Sequence, residues 1–268
     1  MRYILALAFF AILIPGIAIG RESTVSCHVP EGVPETHLLL LGELHGSKEA
    51  PALAGKIACA RAVTGPVGLG LEIPLSEQIA IDSYLSSDGG KDAKQKLLAG
   101  EFWQTDDDGR ASTAMFDLIE YIRQLKHRGM PVSIFAFARP GIRRHITRDA
   151  ALARSIRNLH AEHSALRMVV LVGNVHASQA PVLQLGKESL VPAGYLLRDL
   201  HPVSVFLGYP AGTVWVCMPD CGIHQIGEVG VTQKPELFYR ESPMPGYSMS
   251  FMLPSITASR PAISQPPR

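Results

Sequence analysis

Four near-continuous apolar runs constrain this chain more than any other feature: "THLLLLGE" (36–43), "VGLGLEIP" (67–74), "MPVSIFAFA" (130–138) and "LRMVVLVGNVHAS" (166–178). Runs of this length without polar alternation are what strands covered on both faces require. Helical patterns separate them. "EAPALAGKIACARAV" predicts a helix after the first run, and "SEQIAIDSYLSS" and "DAKQKLLAG" predict shorter ones after the second. In "STAMFDLIEYIRQLKHRG", Met115, Leu118, Ile119, Ile122 and Leu125 share one face, with Ser112 as N-cap and Gly129 as stop. "TRDAALARSIRNLHAEH" lines up Leu152, Ile156 and Leu159 in the same way. "VSVFLGY" and "TVWVCM" predict two later strands. This alternation predicts an α/β fold: a mainly parallel central sheet flanked by helices on both faces, with "TVWVC" as an antiparallel edge near the C-terminus.

The opening "MRYILALAFFAILIPGIAIGRES" has a basic Arg2, an apolar stretch from Tyr3 to Ile14 that is short for a membrane span, and small residues Ala18 and Gly20 after Pro15. That pattern predicts an export signal over residues 1–20, and with it a periplasmic or secreted protein that meets the membrane only through this signal. Residues 21–242 then form one α/β domain. From Pro243 the chain is rich in Pro, Ser and Met, so 243–268 is expected to be a flexible tail. Without residues 1–20 the acidic and basic side chains balance, so the chain carries no excess of positive charge for gripping nucleic acid.

Four cysteines in an exported chain point to disulfides. Spacing alone does not give the pairing. Pro219-Asp220 between strand-like flanks in "WVCMPDCGI" suggests a local Cys217–Cys221 bridge, which would leave Cys27 with Cys59. The rival reading takes Cys217, Cys221 and His224 as metal ligands.

Ionisable groups cluster where the apolar runs end. The first finishes in Glu43 and His45, the second in Glu72, the fourth in Asn174 and His176. In a parallel sheet these carboxyl ends share one edge, where open α/β folds place their ligand crevice. "GELH" and "GNVH" repeat one spacing, with Gly42 and Gly173 each three residues before a histidine and each permitting unusual φ/ψ or close backbone approach. Two histidines and two carboxylates suit either of two chemistries. His45, His176 and Glu72 are a ligand set for a divalent metal that activates water. Alternatively His45, oriented by Glu43, acts as general base without metal, with Glu72 and His176 completing the cluster. There is no Gly-x-Ser-x-Gly elbow and no P-loop, which disfavours serine hydrolysis and nucleotide use. Trp103, beside Phe102 in "FWQTDDDGRASTAM", is a candidate pocket wall, and Arg110 a candidate for holding an anionic or carbonyl oxygen. In "RRHITRD", Arg148 is placed to reach and orient a glutamate, whereas Asp149 suits the helix dipole and needs no further role. Asn174 is a further candidate substrate contact.

"GELHG", the acidic strand end "LE", "RD" opening a helix and "GNVHA" together resemble the Tiki-type superfamily, across roughly residues 36–200. It joins erythromycin esterase-like hydrolases, haem-binding uptake proteins of the ChaN type and the TraB/Tiki metalloproteases. The esterase branch implies a metal-free, water-activating cluster of Glu43, His45, Glu72 and His176 acting on an ester, lactone or amide in a small-molecule substrate. The metalloprotease branch implies metal ligation by His45, His176 and a glutamate, and the uptake branch implies haem or iron-compound binding without catalysis. The chain departs from these patterns in having Leu44 alone between Glu43 and His45, Leu152-Ala153 after "RD", and Ala138 where an aspartate is common. It also lacks the large helical insert expected of a macrolide esterase.

Overall fold

The computed structural model describes residues 27–104, 108–139, 147–230 and 234–263. Residues 1–20, read above as an export signal, and Asp106 and Asp107 lie outside these residues. The elements run β1 (Leu38–Glu43), α1 (Glu49–Ala62), β2 (Val67–Pro74), α2 (Gln78–Leu85), α3 (Lys91–Leu98), α4 (Glu101–Gln104), α5 (Thr113–His127), β3 (Val132–Ala138), α6 (Arg148–Glu162), β4 (Arg167–Gly173) and α7 (Asn174–Ala177). There follow β5 (Leu183–Leu185), β6 (Glu188–Leu190), α8 (Ala193–Leu196), β7 (Val203–Gly208), β8 (Gly212–Cys217), β9 (Cys221–Ile226), β10 (Phe238–Tyr239) and β11 (Met249–Met252).

Seven strands form the central sheet in the order β10-β11-β7-β1-β4-β2-β3. Every pairing is parallel except β10 with β11, which makes the antiparallel edge. Both faces are covered, and β1 shows how. Leu39 and Leu41 face the core shared with α1, α2 and α5, while Leu38 and Leu40 face the core shared with α6 and α8. All four leucines are at most 1% exposed, so each contributes about 2 kcal/mol of burial free energy. The long helices begin as their sequences direct. The Ser112 hydroxyl accepts from Met115 N at 3.3 Å to cap α5, and the Thr147 hydroxyl accepts from Ala150 N at 3.2 Å to cap α6. After α5 the chain turns at Gly129 with φ +80°, a left-handed stop.

Three expectations need correction. "TVWVC" does not edge the main sheet; β8 pairs with β9 in a separate two-stranded hairpin closed by the Cys217–Cys221 disulfide. Only three residues, 209–211, link β7 to β8, and the edge falls instead to β10, which follows β9. The apolar run at 166–178 leaves the sheet at Gly173, and 174–177 turn into the short helix α7, so His176 is a helical residue. The tail is not loose through residue 263. β11 pairs with β7, and Ile256, Ala258 and Ser259 are buried. Phe251 and Ile256 supply the apolar side chains that outweigh the Pro- and Ser-rich composition. The Cys27–Cys59 disulfide ties the first described residue to α1. Two disulfides place the folded chain in an oxidising compartment. With both thiols of the hairpin in one bridge, Cys217 and Cys221 are not metal thiolates, and His224 Nε2 instead meets the Asp220 carbonyl at 2.8 Å. Among the described residues no helix is long and apolar enough to cross a membrane.

Candidate functional site

The strand order sets β1, β4 and β2 side by side, so Glu43, Gly173 and Glu72 meet at one rim although they are far apart in the chain. Glu43 and Glu72 are both buried, at 3% and 2% exposure. His45 lies between them: Nδ1 is 3.1 Å from Glu43 Oε1 and Nε2 is 3.5 Å from Glu72 Oε2. A neutral ring has one N–H, so a histidine facing a carboxylate at each nitrogen is held as imidazolium. Burial opposes the charge, but the bonds and fields of Glu43 and Glu72 prevail and raise the His45 pKa to about 10. Glu72 is the hub. Burial pushes its carboxyl up, yet the bond to His45 and the charges of His45 and Arg110 hold it well below the ordinary range. Its Oε2 accepts from Gly173 N at 3.0 Å and its Oε1 from Arg148 Nη2 at 2.5 Å. Arg110 Nη1 lies 3.5 Å from Oε1 and also donates to the Glu72 carbonyl at 3.2 Å, while its Nε binds Asp108.

A second pair stands beside the first. His176 Nδ1 is 2.8 Å from Asp149 Oδ1, and the same oxygen accepts from Ala193 N at 2.8 Å. A carboxylate has only lone pairs to offer, so Nδ1 is the donor and Nε2 is the nitrogen left facing away from Asp149. His176 Nε2 has no hydrogen-bond partner among the described residues. Gly173 shows how close the two rings come, because a Cβ there would stand 2.9 Å from His45 Nε2 and 3.4 Å from His176 Cδ2. The glycine is therefore required for close approach rather than for unusual dihedrals, since Gly173 has an ordinary φ of −52°. Gly42 likewise makes room for Tyr247, whose hydroxyl donates to the Asn174 carbonyl at the start of α7. Burial pushes the Tyr247 phenol up.

The structure thus brings together Glu43, His45, Glu72, His176, Arg110 and Arg148. It adds Asp149, which had seemed a mere dipole partner although "RD" contained it, and Tyr247, which no motif marked. Asn174 touches the cluster through its backbone. Trp103 is different: it is 0% exposed in the core below the helices, so it is no pocket wall, and Phe102 is buried with it. The ligand set His45, His176 and Glu72 does not fit a divalent metal. Among the described residues no three His, Cys, Asp or Glu side chains are grouped to hold one, His45 turns both nitrogens to carboxylates, and two guanidinium groups flank Glu72.

No family model matches the chain, and no curated protein matches it. Solved structures do. A variant of the erythromycin esterase EreC in its open conformation superposes with a TM-score of 0.58 at 9% identity, over 82% of this chain and 91% of that one. A Bacillus cereus protein gives 0.53 at 12% identity over 84% and 90%, and a succinoglycan biosynthesis protein gives 0.52 at 11% identity over 84% and 89%. At these identities the likeness is one of fold, and the resemblance to the erythromycin esterase-like branch holds at that level.

Proposed function

We propose that this chain is an exported hydrolase that activates water, without a metal, against an ester, lactone or amide bond in a small molecule. The observation that carries this reading is the pairing of a free-lone-pair histidine, His176 on Asp149, with a histidine held as imidazolium, His45 between Glu43 and Glu72. In this arrangement the base is His176 rather than His45. His176 Nε2 takes a proton from water as the oxygen attacks the carbonyl carbon, Asp149 stabilises the resulting imidazolium, and His176 returns that proton to the leaving oxygen or nitrogen as its bond to carbon breaks. His45 offers positive charge to the oxygen that gains charge, and Glu43 and Glu72 keep it charged and in place. Arg148 and Arg110 fix Glu72 in turn. The fold shared with an erythromycin esterase supports a hydrolytic reading.

The test is turnover of a panel of aryl and alkyl esters, lactones and amides by the purified, disulfide-intact protein. Activity is expected to survive a chelator and to be lost in His176→Ala with the melting temperature little changed. A fully active His176→Ala would refute the assignment, and loss of activity on chelation would move the chemistry to a metal.

A further inference from the structure

A cavity of about 830 Å³ lies away from the strand-end cluster, between the outer faces of α1 and α5. Its walls follow helical spacing: Lys48, Pro51, Gly55 and Lys56 from α1 and its first turn, Leu118 and Tyr121 from α5. Thr257–Arg260 and the β8–β9 hairpin, through Thr213 and Ile223, close the remaining sides. None of Glu43, His45, Glu72, Asp149 or His176 lines it. The space exists because both helices present small side chains to it, Ala52 and Gly55 on one and Ala114 on the other. The volume is that of a small-molecule site.

Charge is unevenly distributed around this apolar floor. Lys48, Lys56 and Arg260 surround it, Asp117 is its one acid, and none of the three cations has an ion-pair partner among the described residues. Arg260 is steadied over the Trp215 ring, 5.8 Å from its centroid. Ile223, 47% exposed, extends the apolar surface to the rim. An apolar trough with unpaired cations at its edge complements a molecule that has a hydrocarbon body and one acidic head.

We propose that this cavity is a second ligand site, separate from the strand-end cluster, for a carboxylate-headed amphiphile. The hydrocarbon chain lies between α1 and α5 over Pro51 and Leu118, and the carboxylate meets Lys56 and Arg260.

The probe is dodecanoate below its micelle concentration, titrated calorimetrically into the intact protein. Saturable one-to-one binding is expected. Lys56→Glu and Arg260→Glu should each weaken it about tenfold, and the space-filling Ala52→Trp should abolish it. Ala52 and Lys56 are exposed, so these variants should fold. His176→Ala should leave the affinity unchanged. Equal binding of dodecanol, unchanged affinity in Ala52→Trp, or loss of binding in His176→Ala would each overturn the proposal, the last by moving the amphiphile to the strand-end site.

Discussion

The Asp149 carboxylate holds His176 by its Nδ1 at 2.8 Å, and the two residues come from the start of α6 and from α7, which follows β4. The start of α6 thus serves both histidines, Asp149 holding His176 and its neighbour Arg148 reaching the Glu72 that faces His45.

Asp149→Asn tests that dependence. An amide can turn its NH₂ toward Nδ1 and drive the proton to Nε2, which removes the base while leaving the packing. The turnover number on the best substrate of the panel is expected to fall about a thousandfold, with KM changed little. A Michaelis–Menten comparison with the parent checks this. Retention of full activity would show that Asp149 only anchors Ala193.

Stability should depend on pH in a direction set by Glu72 and His45. Glu72 is depressed from its ordinary value of 4.5, so its contribution is present above that value and is lost as the solution is acidified. His45 is raised from 6.5 to about 10, so its contribution is complete below 6.5 and fades as pH rises through about 10. Both are present in full only between these ordinary values. Melting temperatures across acid and alkaline pH should show a decline from neutrality upward, and His45→Gln should flatten that alkaline limb.

Two glycines of similar conformation should respond differently to alanine. Gly46 has φ +77° and a Cβ there would sit 2.0 Å from the Trp215 carbonyl oxygen. Gly129 has φ +80° with nothing within 4 Å of the added atom. Gly129→Ala should cost about 1 kcal/mol from the backbone alone, and Gly46→Ala about 3 kcal/mol or more because the clash adds to it. Urea unfolding of the two variants measures the difference.

The disulfides should differ as well. Cys27–Cys59 spans 32 positions and Cys217–Cys221 spans 4, so their removal costs about 4 and about 2 kcal/mol by loop-closure entropy. Double serine variants compared by denaturant unfolding would resolve the two.

How much of this was legible beforehand follows from the kind of signal involved. The strands β1 to β4 and the long helices α5 and α6 announce themselves because burial on two faces and on one face leave distinct periodicities. The convergence of Glu43, Glu72 and His176 followed from strand ends sharing an edge. Asp149 was misread because an acid at a helix start has a sufficient local explanation, and its second partner, Ala193, is 44 residues on. Trp103 was misread because its neighbours are acidic, although its own side chain points inward. The role of His45 turned on how many carboxylates face it, which is a distance and not a pattern. The packed tail eluded composition because Phe251 and Ile256 sit among residues that favour disorder.

The loop that carries His45 is held from the far end of the polypeptide. The Gly46 carbonyl accepts from both Trp215 N at 3.0 Å and Ser259 N at 2.8 Å, Lys48 N reaches Thr257 O at 3.0 Å, and Ala262 N reaches Ala111 O at 2.9 Å. The imidazole follows the first strand, whereas part of its brace comes only after β11. Cutting the chain after Met252 would therefore keep every strand of the central sheet and still release the turn behind the imidazole from Thr257 and Ser259.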